Sequence, residues 1–221
     1  MSDLLDGTIR RRLTAPRAAA VAGILFALLS GSSIVLMRMV LDQHADNTSV
    51  WTGAEAAQIR VALGLMPYAG ISFLWFIGVI RDRLGDLEDK FFASIFFGSG
   101  LVFIALIFAS SAVAAGILAA AQVDASAAVD VTTFARAEML EITNVYALRM
   151  AGVFMVSLGT VWLRTGVMRR WTAILTYLLA LVLLLVINLS LWVQLVFPAW
   201  TFLISVLILL RSDRVKVSSG G

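Results

Sequence analysis

Residues 171–210, from Trp171 to Leu210, form a run of 40 without one charged side chain. As a single helix this run would be about 60 Å long at 1.5 Å per residue, twice the ~30 Å hydrocarbon thickness of a bilayer. A segment of that kind crosses a membrane, and its length calls for two crossings. Asn188, Ser190 and Gln194 cluster just before Pro198, so a tight hairpin turning within 188–197 is expected.

The rest of the chain has the same character. It is 61% hydrophobic and 14% charged, with a mean hydropathy of +0.95. Soluble domains carry about 25% charged residues. Apolar runs cover about 18–41, 61–80, 91–121 and 145–163, and the hairpin supplies 171–190 and 194–210. The third run would make a helix of about 46 Å, which must tilt or project beyond the hydrocarbon. The expected fold is all-α: a polytopic membrane helix bundle of about six transmembrane helices, the last two a tight hairpin. One membrane domain, 18–210, would lie between a basic tail, 1–17, and a second tail, 211–221.

Charge orients these spans. Segments 1–17, 81–90, 164–170 and 211–221 fall on one side of a six-span bundle and hold 13 of the 17 Lys/Arg. The two loops on the other side, 42–60 and 122–144, hold only Arg60 and Arg136. Cations favour the cytoplasmic side, so both termini are expected in the cytoplasm, with the protein in a bacterial inner membrane. A five-span arrangement would put the C-terminal cations outside and ranks second. The same sidedness accounts for the pI of about 9.8 without nucleic acid. Seven carboxylates in the outer loops, Asp42, Asp46, Glu55, Asp124, Asp130, Glu138 and Glu141, follow from keeping cations inside.

Arg10 to Arg12 before an apolar stretch resemble a signal peptide in outline. The stretch is too long and lacks a small-residue cleavage pattern, so an uncleaved first span is expected. There is no cysteine and a single histidine, His44, which excludes disulfides, thiolate chemistry and two-histidine zinc motifs. Ser30-Gly31-Ser32 has no base but His44, about three turns away in an outer loop. There is no phosphate-binding glycine loop and no intramembrane acid pair. No enzymatic activity, cofactor or metal is expected.

The polar anomalies are the candidate sites. Arg38 and Arg149 lie within spans, where a charge costs about 2.5–3.5 kcal/mol on insertion scales. Both sit near the outer helix ends. They either snorkel to outer headgroups beside a carboxylate, Asp42 in the case of Arg38, or build an anion or lipid-headgroup site between spans one and four. Small residues at Ser30–Ser33, at Gly98-Ser99-Gly100 and from Ser110 to Gly116 permit close helix approach. They serve internal packing or, at Gly98 and Gly100, docking of another membrane subunit. Pro67 interrupts the second span. Arg169 and Arg170, beside Trp171, would grip the inner headgroups of anionic lipid. The six tryptophans read as an interfacial belt. Phe134, Met139, Leu140 and Ile142 would place an apolar stripe on a short surface helix in the larger outer loop.

The densest charge cluster is 81–90, a candidate contact for a cytoplasmic partner. Its Gly78-x-x-x-Asp82-Arg83-x-Gly85 spacing resembles the loop after the second span of major facilitator transporters, although Asp86 and Leu87 replace that family's two basic residues. This resemblance implies a small homodimeric transporter, half a major facilitator per chain. The basic N-terminus, the Ala/Gly-rich first span and the stretch Gly78 to Phe92 resemble uncharacterised small multispan proteins of actinobacteria. That resemblance implies an accessory subunit of an envelope complex, with lipid importers of the Mce type among the candidates. The leading expectation is a non-enzymatic accessory subunit contacting membrane lipids and other membrane subunits. The transporter comes second. A lipid-modifying enzyme built on Arg38, Arg149 and outer carboxylates comes third.

Overall fold

The computed structural model describes residues 2–43, 51, 53–84, 90–123, 128–185 and 191–218. No strand occurs among them. Seven α-helices follow one another: α1 Ser2–Gln43, α2 Gly53–Leu84, α3 Lys90–Val123, α4 Ala128–Glu141, α5 Leu148–Thr165, α6 Arg170–Leu185 and α7 Val196–Ser218. A π-helical segment, Ile142–Ala147, joins α4 to α5, and a 3₁₀ turn, Leu191–Leu195, leads into α7.

Among the described residues, five stretches are long and apolar enough to cross a membrane: Arg17–Asp42, Gly53–Asp82, Phe91–Gln122, Thr132–Thr165 and Trp192–Leu210. This is a multi-pass helical membrane bundle. The remaining apolar helix, α6, has 16 described residues, about 24 Å of rise. The rest of its expected span, 186–190, lies outside the described residues.

The fourth span departs from expectation. No short surface helix lies across an outer loop. Instead α4, the π segment and α5 run on as one helical stretch from Ala128 to Thr165. Residues 128–165 contain no proline, and the Ala, Glu, Arg, Met and Leu of α4 are good helix formers. The expected apolar stripe divides accordingly: Phe134 is exposed and Met139 is buried. Pro67 lies within α2, which remains one helix on both sides of it.

Two cores hold the bundle. The larger is aromatic. Phe73 of α2 lies 4.7 Å from Phe26 of α1, 5.4 Å from Phe103 of α3 and 5.4 Å from Phe154 of α5. Phe197 of α7 closes the group, 4.7 Å from Phe103. Lipid tails are as apolar as these rings, so burial from water does not drive the helices together inside the membrane. Van der Waals fit and ring geometry do. The smaller core gathers Val40, Leu41, Trp51, Ile59, Ile117 and Met139 where α1 and α3 end, α2 begins and α4 lies across them. The tryptophans therefore split. Trp75, Trp171 and Trp192 are exposed as a belt requires, but Trp51, Trp162 and Trp200 are core residues.

α1 packs mainly on α2 and α7, α3 mainly on α5 and α4, and α6 on α5. Gly152 sets the approach of α5 to α6, since a Cβ there would come within 2.8 Å of Leu184 Cγ and 3.3 Å of the Ala180 carbonyl. Trp200 Nε1 donates to Thr176 Oγ1 at 3.0 Å. α6 and α7 touch little beyond this bond, since α6 packs mainly on α5 and α7 mainly on α1, and most of the expected turn of the hairpin, 186–190, lies outside the described residues.

Candidate functional site

Arg38 lies on α1, one turn before Asp42, and is 1% exposed. It lines a partly open cavity of about 60 Å³ enclosed by α1, α2, α3, the α4–α5 stretch and the start of α7. The walls are mostly apolar, with Phe26, Ile34, Ile107 and Phe197 among them, and the polar lining is Ser30, Ser110, Ser111, Thr143 and Gln194 beside Arg38. No carboxylate lines this cavity among the described residues. Arg38 Nη1 is buried and has no hydrogen-bond partner.

Most neighbouring polar groups are already bonded. Ser30 Oγ donates to the Phe26 carbonyl at 2.6 Å and Ser111 Oγ to the Ile107 carbonyl at 2.8 Å, each on its own helix. Ser110 Oγ, Thr143 Oγ1 and the Met139 carbonyl form a triangle with sides of 2.7, 3.0 and 3.0 Å. Two hydroxyl protons serve these three contacts, so one contact always lacks a proton, and either hydroxyl can turn away while the other still donates to the Met139 carbonyl. Gln194 Nε2 donates to Asn144 Oδ1 at 2.7 Å, which ties the 3₁₀ turn to the π segment. The π segment is marked by the Leu148 N–H reaching back to the Thr143 carbonyl. Wide turns of this kind recur at functional sites, and this one lies on the cavity wall.

Arg149 is not part of this site. Its Nη1 donates to the Val145 carbonyl of its own helix at 2.8 Å, and it is absent from the cavity lining. The two in-span arginines thus play separate parts. A third arginine, Arg136, is fully buried, its guanidinium 4.8 Å from the Trp51 ring. Sequence reasoning placed both residues in outer loops and did not pair them; they are 85 positions apart and no local pattern links them.

At the opposite end, α2 continues to Leu84, so Gly78, Asp82 and Arg83 occupy its last turns. Asp82 is exposed. The Arg83 side chain and residues 85–89 lie outside the described parts. Arg81 sits 4.4 Å over the Phe97 ring and Arg164 4.6 Å over Phe92, pinning the first turns of α3 between two cations. Arg169 and Arg170 are exposed at the start of α6, where the Thr172 N–H bonds to the Arg169 carbonyl at 3.0 Å.

The two glycines singled out on α3 face different ways. A Cβ on Gly100 would stand 2.7 Å from Ile77 Cδ1 and 3.1 Å from the Phe154 ring, so this is an internal packing position. A Cβ on Gly98 would meet nothing within 4 Å. Further along α3, Ala105, Ala109, Ala112, Gly116 and Ala119 are all exposed. Their spacing alternates four and three residues, which keeps them on one seam of the helix. That period was readable in the sequence; which side of α3 it faced was not.

No protein family, curated protein or solved structure matches the chain.

Proposed function

We propose that this chain is a non-enzymatic accessory subunit of a larger complex in a bacterial cytoplasmic membrane, docking through the half of α3 nearest Val123. An envelope lipid-transport assembly is the class of complex proposed. The observation behind this reading is the exposed seam Ala105, Ala109, Ala112, Gly116 and Ala119. Within lipid, small side chains let a second helix approach until backbones touch, and that contact is the main source of helix affinity there. Large side chains are the ordinary covering of a lipid-facing helix, and α3 carries them at Leu101 and Val102, one turn before the seam, and at Phe108 beside it. Both termini are proposed to be cytoplasmic, on the strength of the cation asymmetry. The exposed Arg169 and Arg170 then grip anionic lipid, and the end of α2 that carries Asp82 and Arg83 lies on the side of the cytoplasmic partners.

Purification in mild detergent from the native membrane, with mass spectrometry of the co-purifying chains, tests the proposal. A partner at fixed stoichiometry is expected, and Gly116→Leu should remove it while the folded yield stays constant. A lone homodimer would favour the transporter reading. Partners that persist in Gly116→Leu and Ala112→Leu would sink the docking assignment.

A further inference from the structure

We propose that the Arg38 cavity is a binding site for a carboxylate monoanion, whether a small free carboxylate or the head of a fatty acid. The site does not depend on the docking surface of α3. Its starting point is a charge problem. A guanidinium stays protonated in proteins, and a buried cation needs a partner anion or a full set of acceptors. Arg38 is 1% exposed and its Nη1 has no hydrogen-bond partner. Asp42, one turn on along α1, lies within electrostatic reach of the guanidinium, but it is exposed to solvent and is not among the residues that line the cavity.

The cavity fits a particular counter-ion. One arginine calls for one negative charge. The planar guanidinium fork matches a carboxylate, and a pair of that kind is stronger than neutral hydrogen bonds. Ser110 or Thr143 can turn its hydroxyl toward a bound oxygen, because the Met139 carbonyl accepts from both and keeps one donor when the other leaves. Size narrows the choice. About 60 Å³ is less than half of the ~150 Å³ of a cavity that holds a benzene ring, so the enclosed part admits a carboxylate and the carbon next to it. The apolar walls at Phe26, Ile34, Ile107 and Phe197 suit the adjoining carbons. A longer chain would leave through the open side.

The test uses the full-length protein in nanodiscs of phosphatidylcholine. Radiolabelled palmitate and radiolabelled acetate are the two probes, and Arg38→Gln, Arg38→Lys and Arg149→Gln the variants. Saturable binding at one per chain is expected. Arg38→Gln should weaken it at least tenfold, Arg38→Lys should weaken it less, and Arg149→Gln should leave it unchanged. Saturable palmitate binding identifies a fatty-acid head as the ligand, and acetate binding that palmitate does not compete identifies a free carboxylate. Failure of the wild-type protein to bind either probe overturns the proposal, even if Arg38→Gln does not fold. Binding that survives in a folded Arg38→Gln overturns it equally.

Discussion

Ser33 and Gln58 stitch α1 to α2 in opposite directions. Ser33 Oγ donates to the Ala62 carbonyl at 2.7 Å, and Gln58 Nε2 donates to the Leu36 carbonyl at 2.8 Å. Each acceptor is a helix carbonyl with a second lone pair to offer. Hydrogen bonds between membrane helices average about 0.6 kcal/mol and reach about 1.7. Ser33 is fully buried, so Ser33→Ala should fall in the upper half of that range, read as a lower midpoint in a detergent-unfolding titration. An unchanged midpoint would mean the carbonyl alone satisfies that contact. At this scale the sequence was partly legible. A serine among apolar residues announces a hydroxyl that needs an acceptor. It does not say whether the acceptor lies on its own helix, as for Ser30, or on the next, as for Ser33. Arg38 was legible as an anomaly for the same reason. Its cavity was not, because the lining comes from five separate stretches of chain.

The helices themselves were the most readable level, since a hydrophobic run of span length in a chain of this composition has few alternatives. Hydropathy failed where polar residues sit on a helix that continues. Asp130, Arg136, Glu138 and Glu141 made α4 read as part of a loop, yet the backbone there is helical and joins α5. Arg136 is accommodated because the Trp51 ring covers it. Glycines separate internal from external helix faces in a way that mutation can check. Gly152→Leu would drive its side chain into Leu184 and the Ala180 carbonyl, a case of overpacking that costs about 1–3 kcal/mol or more. It should lower the thermal midpoint of the isolated protein. Gly116→Leu, with open space around it, should leave that midpoint in place. Equal loss in both would show that the outer seam of α3 is packed within the monomer.

At the level of the whole molecule, membrane orientation was drawn from arithmetic on cations alone. The chain has no cysteine, so a single introduced thiol reports its own side of the membrane. Ala137→Cys lies at an exposed position on α4 and Ser218→Cys at the end of α7. A membrane-impermeant maleimide added to intact cells should label the first and spare the second; the opposite pattern would refute cytoplasmic termini. The π segment carries a different consequence. It separates Met139 in the small core from Ala147 and Leu148 in the large one. Each residue of an α-helix turns the chain by about 100°. The wider turn therefore acts as a phase shift between two gears on one shaft. With one residue fewer there, α4 would arrive rotated by roughly a quarter turn, and Arg136 and Met139 would swing away from Trp51 together while the aromatic core below kept its own register.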